Sequence, residues 1–190
     1  MEQEPTIFRP GAGTASRAPT TPLPTPRNGL QMNLQTDNSP GRFLVIGLGN
    51  DHRGDDGAGL EIVRRLRQMQ LSGVTLREAP GDGAALLEMW QGADLVILVD
   101  AVRAELHAPG TVCRFEAHRQ PLPEKFFARL STHAFGVAEA VEMGRALGRL
   151  PPKLIVYGVA GKNFSPGANL SPEVRQGVEE VVSLVLLELE

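Results

Sequence analysis

The chain has 190 residues and a formal net charge of -3 at pH 7, with a sequence pI of about 5.8. That size suits one domain with a full core, or one domain with a tail, and the mild acidity argues against nucleic acid or an anionic membrane as a general partner. The single cysteine, Cys113, excludes an intrachain disulfide and a Cys-rich metal site and suits a reducing compartment, while no apolar run reaches the roughly 18 residues of a membrane-spanning helix.

Residues 1–41 scatter Pro5, Pro10, Pro19, Pro22, Pro24, Pro26 and Pro40 among threonine, serine, glycine and asparagine. Such a stretch cannot bury enough apolar surface to offset its ordering entropy. It is expected to be a disordered leader: a dispensable extension, with Met32 as an alternative start, or a proline-rich docking segment. No basic segment followed by an apolar one opens it, as a secretory signal would require. Residues 42–190 are expected to form a single α/β domain. FLVIGLG at 43–49 predicts a buried strand. A helix follows over 59–69, with Leu60, Ile62, Val63, Leu66 and Met69 at helical spacing. A second strand is expected at 74–79 and a short helix at 83–90. DLVILVDA at 94–101 predicts a continuous apolar strand, and GTVCRFE at 110–116 a strand of alternating character. A helix is expected over 131–148, with Ser131 or Thr132 as N-cap and Gly148 just past its end. KLIVYGVA at 153–160 reads as the last strand. A helix over 171–190 closes the chain, with Ser171 at the N-cap and Pro172 at its first position. Strands that mostly alternate with helices, two of them almost wholly apolar, predict an α/β fold. Its sheet is doubly wound, mostly parallel and twisted, of about five strands, with helices on both faces. Ligands in such a fold sit outside the carboxyl ends of the strands.

The loop GLGNDHRGDDGAG at 47–59 follows the first strand and carries three carboxylates, Asp51, Asp55 and Asp56. A dinucleotide-binding loop would want a third glycine where His52 stands, and its acidity is hostile to pyrophosphate. Asp55 suits an N-cap for the next helix, with Asp56 in the first turn complementing the dipole. Alternatively, one carboxylate caps while the other projects over the sheet edge as a cation ligand. Asp100 follows five apolar residues. A carboxylate there is partly desolvated and needs a cation, a set of hydrogen bonds or a raised pKa. His133, expected at the start of a helix after the fourth strand, belongs near the same edge. Together Asp56, Asp100 and His133 make an O,O,N site for a divalent transition ion with open positions, their side-chain ends converging within roughly 4–5 Å. Asp82 is a lesser candidate for a base. Cys113 reads as core, His107 and His118 lie in polar turns, and His52 is either an outer group of the acidic loop or simply exposed.

In combination these motifs resemble the hydrogenase maturation endopeptidases. That family carries a G-x-G-N-x(4)-D-[D/E]-x-x-G loop after its first strand, read here at Gly47, Gly49, Asn50, Asp55, Asp56 and Gly59. Its aspartate at the end of a hydrophobic strand is matched by VILVDA at Asp100, and its histidine opening a later helix by STHAFGVAEAV at His133. APGDGAALLEMW at 79–90 is similar to the family's turn and helix after the second strand. The resemblance runs from residue 43 to the C-terminus, with His52 and Arg53 standing where apolar residues are common. It implies a cytoplasmic endopeptidase that removes the C-terminal extension from the nickel-loaded precursor of the large subunit of nickel–iron hydrogenase. It implies Asp56, Asp100 and His133 as metal contacts, with nickel carried by the substrate and another divalent ion such as zinc in isolation. A metal-polarised carbonyl or metal-bound water, with Asp56 or Asp100 as base, is the economical chemistry. The expected partner is that precursor alone, with no nucleic acid, no membrane insertion and a monomeric enzyme. The alternatives are a peptidyl-tRNA hydrolase-like hydrolase, whose first loop also begins GLGN, and a metal-dependent chaperone that inspects the subunit without cutting it.

Overall fold

The computed structural model describes residues 5–9, 43–103, 107–123 and 136–190. Its strands are β1 (Thr6–Phe8), β2 (Phe43–Leu48), β3 (Val74–Ala79), β4 (Leu95–Arg103), β5 (Val112–Glu116) and β6 (Lys153–Gly161). Its helices are α1 (Ala58–Gln68), α2 (Gly83–Met89), α3 (Val137–Ala146) and α4 (Pro172–Leu189), with a 3-10 turn at Gly54–Gly57 leading into α1. The six strands form one sheet in the order β1-β5-β6-β4-β2-β3. β3, β2, β4 and β6 are parallel, whereas β5 runs antiparallel to β6 and β1 antiparallel to β5. The doubly wound α/β architecture is as expected, with a mixed sheet and one extra strand.

Successive residues of a strand face opposite sides, so a strand covered on both faces must be apolar at every position. β4 does this. Val96 and Leu98 enter the core beneath α2 and α3, with Leu86, Trp90 and Val141. Leu95, Ile97 and Val99 enter the core beneath α1 and α4, with Ile62, Leu66 and Val178. The spacing in α1 is borne out at Leu60, Ile62, Val63 and Leu66, all buried, but Met69 is the C-cap and is 48% exposed. α3 opens at Gly136, whose backbone N–H donates to Glu139 Oε2 at 3.0 Å. Ser131 and Thr132, the expected caps, lie outside the described residues.

The extra strand is a correction to the leader. Thr6–Phe8 falls inside residues 1–41 yet pairs with Val112–Arg114 of β5. Threonine, isoleucine and phenylalanine all favour extended backbone, and β5 would otherwise present an open edge. Phe8 also packs, half-buried, against the core beneath α1 and α4. Residues 1–4 and 10–41 lie outside the described set.

The connections create one special crevice. β2 has β3 on one side and β4 on the other, so the chain leaves it first in one direction and then crosses back. Such a switch point opens a gap at the carboxyl ends of the strands. β4 also outruns β2. Their pairing stops at Gly47↔Val99, while β4 stays paired with β6 as far as Arg103↔Gly161. Asp100 is therefore the first β4 residue beyond the pairing with β2.

Candidate active site

The loop after β2 is shaped by close approach, not by an anion. Gly49 has φ +136, a conformation that side chains rarely adopt. At Gly59, a Cβ would fall against the backbone oxygens of Leu48 and Val99, so only glycine lets α1 start directly on the ends of β2 and β4. Several N–H groups of the loop are already used within it. Asn50 N–H donates to Asp56 O at 3.2 Å, Arg53 N–H to Asn50 O at 3.1 Å, and Asp56 N–H to Arg53 O at 3.2 Å. His52 N–H donates to the Asn50 side-chain oxygen at 2.9 Å, and His52 itself is exposed.

The three carboxylates of the loop have three different fates. Asp51 pairs with Arg64 at 2.6 Å, and Arg64 also reaches Glu78 at 2.8 Å. This exposed network neutralises Asp51 but adds little stability. Asp55 is fully buried and accepts four hydrogen bonds: from the N–H groups of Lys162 and Asn163 at 2.8 Å each, from Ser171 N–H at 2.6 Å and from Ser171 Oγ at 3.0 Å. It is not the cap of α1, whose N-cap is Gly57 with no side-chain bond. It anchors the loop between β6 and α4 instead. Ser171 stands at the N-cap of α4 as expected, yet its hydroxyl goes to Asp55 rather than to the helix. Asp56 is 7% exposed, and its carboxylate accepts no hydrogen bond from any described residue. Burial raises its pKa, and the nearby Arg53 guanidinium works against that rise.

Asp100 lies at the switch point close enough to Asp56 to feel its charge. Burial, reinforced by the negative charge of Asp56, pushes its carboxyl up to about 7, against the partial opposing pull of a 2.8 Å hydrogen bond from Ala101 N–H. Two carboxylates that burial disfavours as anions, and that repel each other, form a ready site for a cation. Divalent ions that accept oxygen donors fit this pair. Among the described residues no group of three or more His, Cys, Asp or Glu side chains is arranged to hold a metal, and His133 lies outside them. The structure thus brings Asp56 and Asp100 to one edge and leaves the third expected ligand undescribed.

The remaining candidates have structural places. Asp82 is the N-cap of α2 and accepts from Ala84 N–H at 3.0 Å. Cys113 is buried mid-strand, and burial pushes its thiol up to about 11, which leaves it unreactive. His118 Nδ1 lies 3.1 Å from Leu154 O, holding the turn after β5 to β6. The segment 162–171 was not singled out in the sequence, although it follows a strand at the carboxyl edge, where the switch-point rule directs attention.

Residues 60–188 match the family model described as hydrogenase maturation protease. The hydrogenase 2 maturation protease of Escherichia coli (strain K12) is 30% identical over 150 residues, covering 78% of this chain and 90% of that one. The chain belongs to the hydrogenase maturation protease family. Solved structures agree. The hydrogenase maturating endopeptidase HybD from E. coli superposes with a TM-score of 0.67 at 30% identity, covering 78% of this chain and 91% of that one. The [NiFe] hydrogenase maturation protease HybD from Thermococcus kodakarensis gives 0.59 at 26% identity, over 78% and 99%. The hydrogenase maturation protease described here is a peptide-bond hydrolase on a HybD-type fold. Family membership sets aside the peptidyl-tRNA hydrolase-like alternative, and with it the non-cutting chaperone.

Proposed function

We propose that this protease removes the C-terminal extension from the nickel-loaded precursor of the large subunit of a nickel–iron hydrogenase. Asp56, Asp100 and His133 would contact the nickel that the precursor carries. The observation supporting this most strongly is the pairing of Asp56 with Asp100 at the switch point. One carboxylate lacks a hydrogen bond from any described residue and the other is pushed up to about 7. An arriving cation relieves both the desolvation and the mutual repulsion. A site with few protein donors suits a metal brought in by the substrate, and it makes cleavage conditional on nickel insertion. Carboxylates also suit zinc, so another divalent ion can occupy the isolated chain. The substrate's nickel polarises the scissile carbonyl or the attacking water. Asp56 or Asp100, as well as contacting the metal, would take the proton of that water, and the Asp100 carboxyl, pushed up to about 7, is well matched to that task.

The same reading makes the enzyme cytoplasmic and monomeric, with neither nucleic acid nor membrane as partner. It is supported by the net charge of -3 and the free, buried Cys113. No helix among the described residues is long and apolar enough to cross a membrane. The test is cleavage of nickel-loaded precursor by the purified chain, read by intact mass. One C-terminal peptide should be lost, and nickel-free precursor should stay whole. An uncut nickel-loaded precursor would sink the proposal.

A further inference from the structure

We propose that Asp55 is a positioning residue, through which the loop between β6 and α4 fixes the turn that presents Asp56 to the substrate. This rests on the function proposed above. The two adjacent aspartates have opposite environments. The Asp55 carboxylate accepts four hydrogen bonds, while the Asp56 carboxylate accepts none from the described residues. The anchoring runs in both directions. Asp55 N–H donates to Asn163 O at 2.8 Å, and Gly167 N–H donates to His52 O at 2.8 Å. Residues 52–55 and 162–171 are thus zipped together by backbone and side chain. Asp56 comes next, inside a turn closed by its own N–H on Arg53 O. A rotation at Asp55 must move the Asp56 carboxylate relative to Asp100, which β4 holds in a separate ladder with β6.

The perturbation is Asp55→Asn. Lys162 N–H, Asn163 N–H and the Ser171 hydroxyl all meet one carboxylate oxygen, and Ser171 N–H meets the other. An asparagine can keep three of these four bonds at best, and its NH2 group then faces the Ser171 N–H. The turn must shift while the cores stay intact. On nickel-loaded precursor, kcat should fall by about a hundredfold, the cost of a 1 Å misplacement of a reacting group, with KM within about twofold of the parent. Amide exchange at Asp56 should speed up by about tenfold, a readout that needs no cleavage. Ser171→Ala removes one bond and should lower kcat several-fold at unchanged KM. Parental kcat in folded Asp55→Asn would overturn the proposal. So would a raised KM at parental kcat, unchanged exchange at Asp56, or a loss of activity matched by loss of folded protein in circular dichroism. If Asp55→Asn does not fold, Ser171→Ala decides by the same criteria. Failure of the parent to cut the precursor would instead count against the proposed function, and the exchange rates would still judge the role of Asp55.

Discussion

Replacing Asp100 by asparagine separates the needs of folding from those of chemistry. The side chain keeps its shape, and its oxygen can still accept the Ala101 N–H bond at 2.8 Å. What disappears is a negative charge that the fold resists. Burial and Asp56 move the carboxyl from 3.8 to about 7. Three pKa units at 1.36 kcal/mol each make a penalty on the order of 4 kcal/mol. The sign follows from proton linkage. Below pH 3.8 the group is protonated in both states, and the penalty is absent. Between 3.8 and 7 the folded state keeps a proton that the unfolded state releases, so stability falls as pH rises. Above 7 the penalty is complete. Urea denaturation of parent and Asp100→Asn, with EDTA present, should give similar stabilities at pH 4 and an advantage to the variant of about 2–4 kcal/mol at pH 8. The variant should nonetheless fail to cut nickel-loaded precursor. A gap of equal size at pH 4 and pH 8, or no gain at pH 8, would refute the account of Asp100 as a desolvated, charge-repelled carboxylate.

Gly59→Ala sets a methyl group against the Leu48 and Val99 carbonyls, with Leu48 N only 2.8 Å away; it should cost about 3 kcal/mol or more, seen as a lower urea midpoint. Deleting residues 1–9 removes the β1 ladder and the half-buried Phe8, so it should lower stability by about 1–2 kcal/mol. That deletion should leave kcat/KM unchanged, because β1 and β5 lie at the far end of the sheet from β3 and β2. Burial raises the Glu188 carboxyl, but Lys153 at 2.8 Å and Arg114 at 2.7 Å outweigh it and hold its pKa below 4.5. A depressed acid contributes stability that is lost as pH falls through its folded pKa, so Glu188→Gln should flatten the acid side of the stability curve; parallel curves for parent and variant would contradict this.

Most of the architecture was legible in the sequence because its causes are local. The apolar run at 95–99 had to be covered on both faces, the repeat of Leu60, Ile62, Val63 and Leu66 had to be a helix lying on one of them, and Asp100 had to end near the carboxyl edge. The glycine spacing of the 47–59 loop announced a tight turn, and its acidity argued against phosphate. β1 escaped notice because three extended residues carry no periodicity; the exposed edge of β5 gives them a place. The division of labour between Asp55 and Asp56 was equally hidden. Nothing in the pair itself distinguishes anchor from site, since both are aspartates at the start of one turn. That choice belongs to Lys162, Asn163 and Ser171, the last of them 116 positions away. The sequence by itself determined the helices and strands of residues 43–103 and 153–189 and placed Asp56 and Asp100 at one edge, because burial and periodicity act along a few neighbouring positions. Only the tertiary structure decided which carboxylate is satisfied by hydrogen bonds and which has none from the described residues, because a hydrogen bond is made by whatever the folded chain brings within about 3 Å.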